Sequence, residues 1–166
     1  PATDELSPDD LDTLASTRVF FGHQSVGQNV LEGVRELYAE HEPPAPVVKD
    51  AFIGENEQPL RKIEDFDATM RSAGGDDVDV AMMKLCYIDI TPRTDVEALF
   101  GAYRTTLAAL EKDLPTVRFV HVTVPLMTEP GRLGSLRARL TGSERLGPAE
   151  NVVRERLNSL IRREYA

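Results

Sequence analysis

Apolar positions along the chain fall into alternating strand-like and helix-like blocks. Arg18-Val19-Phe20-Phe21-Gly22 is a short continuous apolar run, and beyond it Val26, Val30, Leu31, Val34, Leu37 and Tyr38 recur at helical spacing. Pro43, Pro44 and Pro46 stop that helix, Val47 to Ile53 is β-rich, and Leu60, Ile63, Phe66 and Met70 mark a second amphipathic helix. After a Gly74-Gly75-Asp76-Asp77 turn, Val78 to Leu85 has the composition of a strand covered on both faces. Thr94 and Glu97 read as the capping box of a long helix whose apolar positions are Val96, Leu99, Phe100, Tyr103, Leu107 and Leu110. Pro115 closes it, and Val117 to Val124 is a further strand. At the amino end, Ser7-Pro8-Asp9-Asp10 predicts a capped helix start with proline at the first helical position, running through Leu14. At the carboxyl end, a helix from near Pro148 to Ala166 puts Val153, Leu157, Leu160 and Ile161 on one face.

Four strand–helix alternations predict a single α/β domain over residues 1–166 with a parallel sheet. Doubly wound sheets commonly carry five or more strands, and no fifth strand follows the last helix. The chain is therefore expected to be an amino-terminal piece, shortened at the carboxyl end. Between Met127 and Gly147 the periodicity gives way to a loop with four glycines and with Arg132, Arg137, Arg139 and Arg145, suited to a lid.

Composition narrows the partners. With 166 residues, 41% hydrophobic and 28% charged, the chain suits an ordinary globular domain, and no apolar run approaches the roughly 20 residues of a membrane span. A formal charge of −9 argues against a nucleic-acid partner, because phosphate backbones are repelled. One cysteine, Cys86, excludes an internal disulfide and a multi-cysteine metal site. Asp76, Asp77 and Asp79 fit no calcium-loop spacing, so neither metal nor cofactor is expected. Compartment and oligomeric state are not encoded in any of these features.

In open parallel sheets, ligands sit beyond the carboxyl ends of the strands, where strand order reverses. The loop Gly22-His23-Gln24-Ser25-Val26-Gly27 carries a glycine-flanked serine at a strand-to-helix turn, where a nucleophile is exposed against the N–H groups of a helix start. Ser25 fits a nucleophile and equally a helix cap. His23 fits a base or a residue that holds the loop by hydrogen bonds. His121, with Phe119 and Thr123 on its side of a strand, reads as a satisfied core or subsurface histidine. Lys84, Tyr87 and Asp89 are polar in or just beyond an apolar strand, which costs stability unless they reach a cleft or pair with one another.

The run Val19-Phe20-Phe21-Gly22-His23-Gln24-Ser25-Val26-Gly27 resembles the first block of the SGNH (GDSL-like) hydrolases, in which a nucleophilic serine opens the first helix. The segments Val78 to Leu85 and Asp95 to Pro125 look like that superfamily's third and fourth strands with their helix. More closely, the chain is similar to a bacterial branch carrying the Gly-His-Gln-Ser-Val-Gly form of the block. The resemblance implies a flavodoxin-like three-layer α/β/α sandwich with a mostly parallel sheet, lacking its last strand. It also implies cleavage of ester or acetyl groups on a carbohydrate or lipid-type substrate by Ser25, without cofactor. The oxyanion would be held by the N–H groups of Ser25 and Gly54 and by an amide side chain, with Gln24, Asn56, Lys84, Tyr87 and Asp89 completing the site.

Three departures stand out. The first block reads Gly-His-Gln-Ser, not Gly-Asp-Ser; Cys86-Tyr87-Ile88-Asp89 stands where Gly-x-Asn-Asp is usual; and no histidine follows His121 to supply the Asp-x-x-His base. The alternatives are thus a non-catalytic small-molecule or carbohydrate-binding domain of the same fold, or a phosphate or nucleotide binder using Gly22 to Gly27 as an anion loop.

Overall fold

A computed structural model describes residues 7–39, 45–74, 77–127 and 148–166. The expected arginine-rich lid, over residues 128–147, lies outside the described residues, as do residues 75–76 of the glycine turn. The elements run α1 (Pro8–Ala15), β1 (Val19–His23), α2 (Ser25–Ala39), β2 (Val48–Phe52), α3 (Pro59–Thr69), β3 (Val80–Met83), α4 (Val96–Asp113), β4 (Arg118–His121) and α5 (Pro148–Tyr165). All four strands are parallel, in the order β2-β1-β3-β4.

That order follows from local chemistry and handedness. The step from β1 to β2 goes one way and the steps from β2 to β3 and β4 go the other, so right-handed crossovers put α2 on one face of the sheet and α3 and α4 on the opposite face. Phe20, Ala81, Met83 and Phe119 pack with Ile63 and Phe66 of α3, Leu99, Leu107 and Leu110 of α4, and Leu157 and Ile161 of α5 in one buried cluster. Residues of the other pleat, Val19 and Phe21, are buried away from that cluster, as are Leu31 and Tyr38 of α2 and Leu11 of α1. The Tyr38 hydroxyl donates to the Leu11 carbonyl at 3.0 Å and ties α1 to α2. The result is an α/β fold with an open parallel sheet, as the alternation of periods predicts.

Most boundaries match the sequence reading. Ser7 caps α1 with Asp10 as its capping-box partner and Pro8 at the first position. The start of α4 is shifted by one residue: Asp95 is the N-cap, accepting from the Ala98 N–H at 3.0 Å. Thr94 instead closes the preceding turn, its hydroxyl accepting from the Thr91 N–H at 2.9 Å. An ionised carboxylate is the better partner for the positive end of an 18-residue helix. Strands β3 and β4 are shorter than their apolar runs, because pairing stops where the chain turns into the loops at the carboxyl end. At the opposite end, Arg18 binds Asp79 through its backbone N–H and Nε, both at 2.9 Å, and also contacts Asp77. These bonds hold the Asp79 carboxyl down at about 2. They also fix the register of β1 against β3.

Candidate functional site

The sheet order reverses between β1 and β3, so the crevice beyond their carboxyl ends is where an open sheet of this type receives a ligand. Four loops meet there. The first leaves β1 at His23 and enters α2 at once, with the Gly27 N–H returning to the Gln24 carbonyl at 2.7 Å. Ser25 is the first residue of α2 and is exposed. Among the described residues its hydroxyl has no protein hydrogen-bond partner, so it is a free oxygen beside the N–H groups of a 15-residue helix.

His23, one turn below, is fully buried. Its Nδ1 lies 2.8 Å from the Gln24 carbonyl and its Nε2 lies 3.1 Å from the Asp50 carboxylate on β2. Both ring nitrogens are thus engaged, one with the turn that opens α2 and one with β2. The histidine is clamped between the rings of Phe21 and Phe52, with centroids at 4.9 and 5.3 Å. Gly27 packs directly on it: a Cβ there would fall 2.2 Å from the imidazole. Of the two roles the sequence leaves open for His23, these are the contacts of the residue that holds the loop.

Gln24 spans to the second loop, its amide donating to the carbonyls of Ile53 at 3.0 Å and Gly54 at 2.6 Å. Gly54 has φ +51° and lies where a Cβ would come within 2.8 Å of the Lys62 backbone nitrogen, so only glycine fits. Its N–H, expected as an oxyanion donor, donates to the Asp65 carboxylate at 2.8 Å. The donor is thus already occupied, because the second turn of α3 brings the Asp65 carboxylate against it. A polar groove of about 440 Å3, lined by Gly54, Glu55, Gln58, Arg61 and Asp65 with Phe52, opens on this side; Ser25 does not line it.

The third loop follows β3. Asp89 is buried and accepts from the Cys86 N–H at 2.6 Å, the Glu57 N–H at 2.9 Å, and Lys62 Nζ at 2.8 and 2.7 Å on its two oxygens. Lys62 also reaches Asn56 Oδ1 at 3.2 Å. The Asp89 carboxylate, expected to serve a ligand, joins the second loop to the third, and Asn56, also expected to do so, lends its Oδ1 to the same junction while the residue stays exposed. Glu57 is held at φ 68°, an uncommon conformation for a non-glycine residue, by the same Asp89 oxygen that binds Lys62. Lys62 was hidden from sequence reading, since it sits among the solvated charges of Arg61, Glu64 and Asp65 in an amphipathic helix.

Lys84 is 4% exposed, and among the described residues its ammonium has one hydrogen-bond contact, Cys86 Sγ at 3.7 Å. Tyr87 presents its carbonyl to Arg154 Nε at 2.9 Å and its ring to the same guanidinium at 5.8 Å. Arg154, on α5, is another residue that sequence reading missed.

The fourth loop, after β4, is held by two asparagines of α5. Asn158 accepts from the Val124 N–H at 2.7 Å and donates to its carbonyl at 2.9 Å, and Asn151 does the same for Met127 at 2.9 and 2.7 Å. His121, the last residue of β4, has its ring stacked on Tyr165 at 3.5 Å and its Nδ1 2.9 Å from the Tyr103 hydroxyl, as a satisfied subsurface histidine.

No family model and no curated protein matches the chain. Among the described residues no three His, Cys, Asp or Glu side chains gather as metal ligands would, and no helix is long and apolar enough to cross a membrane.

Proposed function

We propose that the chain is a serine hydrolase-like domain of the SGNH kind, cleaving ester or acetyl groups of a carbohydrate or lipid-type substrate through Ser25. The observation that carries this reading is the exposed, unpartnered Ser25 hydroxyl at the first turn of α2, on the strand where sheet order reverses. In the proposed reaction Ser25 Oγ adds to the ester carbonyl and gives its proton to solvent water, which returns one to the departing alkoxide. The oxyanion is met by backbone N–H groups of the first turn of α2; the alcohol leaves, and water then hydrolyses the acyl-serine. Gln24 and His23 position the nucleophile by fixing the turn.

A second reading, a non-catalytic domain that binds a polar small molecule in the same crevice, is favoured by one observation. His23 uses both ring nitrogens on Gln24 and Asp50, and a serine without a base is a weak nucleophile.

Intact mass spectrometry after exposure to a fluorophosphonate probe separates the two. The hydrolase reading expects one adduct on the wild-type chain and none on Ser25→Ala. A wild-type chain that stays unlabelled while folded removes it in favour of ligand binding.

A further inference from the structure

Around the turn after β3, two buried cations lack their share of partners among the described residues. Four charged side chains there are buried: Lys62, Lys84, Asp89 and Arg154. Asp89 is consumed by Lys62. Lys84 has only the Cys86 sulfur. Arg154 places Nε on the Tyr87 carbonyl and Nη1 on Asn151 Oδ1, while Nη2, though buried, has no hydrogen-bond partner. The carboxylate of Glu150, one turn earlier on α5, acts on the guanidinium through space, but Nη2 remains unbonded. Leaving a buried charged donor unpaired is costly, so such a group calls for a partner, whether water, an ion or a ligand.

Lys84 and Arg154 touch consecutive residues, Cys86 and Tyr87, so both flank one turn at the carboxyl end of β3. This is the end of the sheet that receives ligands, and the chain around it carries a net charge of −9, which discourages casual anion binding. We propose that this turn is an anion subsite, in which Arg154 Nη2 donates to a carboxylate or phosphate oxygen of the bound molecule and Lys84 supplies supporting positive charge. The inference deepens the hydrolase reading by giving the substrate an anionic group, yet it needs no acyl transfer and holds equally for a binding domain.

Calorimetric titration of the whole chain with inorganic phosphate, and separately with acetate, at ionic strength held constant with chloride, tests it. Saturable binding of one anion per chain is expected. Phosphate alone or acetate alone binding identifies the class of oxyanion. Arg154→Lys, which keeps the charge but loses the Nη2 donor, weakens binding roughly 10- to 100-fold, as expected for a lost charge-assisted hydrogen bond. Lys84→Met weakens it by a smaller factor and stands as the test if Arg154→Lys does not fold. Absence of saturable binding by both anions, or binding that a folded Arg154→Lys or Lys84→Met variant leaves unchanged, overturns the proposal. Anion binding without fluorophosphonate labelling removes only the hydrolase reading, and labelling without anion binding removes only this one.

Discussion

Lys62 and Asp89 face each other with both side chains fully buried, the ammonium 2.8 and 2.7 Å from the two carboxylate oxygens. One residue comes from the first turn of α3 and the other from the loop after β3, so this ion pair joins two of the loops that border the crevice. Removing one partner of a buried pair leaves an uncompensated charge. Asp89→Asn is expected to cost about 3–5 kcal/mol of stability. Lys62→Met costs less, because the Asp89 carboxylate keeps the N–H donors of Cys86 and Glu57. Urea unfolding of both variants checks the order, and equal losses would contradict it.

Two glycines of α2 give opposite predictions for the same substitution. Gly33 has open space where a Cβ would go, so Gly33→Ala should stabilise the chain by about 0.5–1 kcal/mol through helix propensity. Gly27→Ala meets the His23 ring at 2.2 Å and should destabilise by about 1–3 kcal/mol or more while displacing Ser25. Thermal unfolding of the pair reads both signs, and Gly27→Ala should also lower any fluorophosphonate labelling.

Asn151 and Asn158 are seven residues apart on α5, a rise of about 10.5 Å, and hold Val124 and Met127, three extended residues apart, or about 10 Å. The match in length lets one helix face clamp the loop at two points. Asn158→Ala leaves the Val124 N–H and carbonyl unpaired at a buried site, each worth about 1–3 kcal/mol. Amide exchange should show lost protection at Val124 and kept protection in β1. Unchanged exchange at Val124 would argue against the clamp.

Burial against Tyr165 and Tyr103 pushes His121 below its ordinary 6.5, with Glu111 opposing from 3.9 Å. The unfolded chain then binds this proton more readily than the folded one. Stability from this group is complete above pH 6.5 and falls as pH drops below it toward the lowered folded value. The difference in unfolding free energy between wild type and His121→Gln should narrow across that interval on acidification. A difference that widens would reverse the assigned direction.

Much of the fold is legible in the residues themselves. The switch between helical and strand-like apolar spacing marks each crossover, and Ser7 with Pro8 marks the start of α1. The candidate site is legible only in outline. Ser25 stands out as a glycine-flanked serine at a strand end, and it is exposed at the head of α2. His23, Gly54, Asn56 and Asp89 stand out as polar or turn residues near strand ends, but His23 Nε2, the Gly54 N–H, Asn56 Oδ1 and the Asp89 carboxylate are used on Asp50, Asp65 and Lys62. Lys62 and Arg154 lie in helices whose composition is that of solvated surfaces, and nothing local distinguishes them from Arg61 or Arg156.

Periodicity and capping are short-range properties, set by neighbours within a turn or a strand, and for this reason the order of elements, the parallel sheet and the exposed serine follow from the chain alone. Which charged group is buried, and which partner consumes it, depends on residues far apart in sequence, such as Lys62 with Asp89 or Arg154 with Tyr87, 27 and 67 positions away. A charge leaves water only where another element supplies its counter-charge or donor, and that supply exists only once the helices have packed.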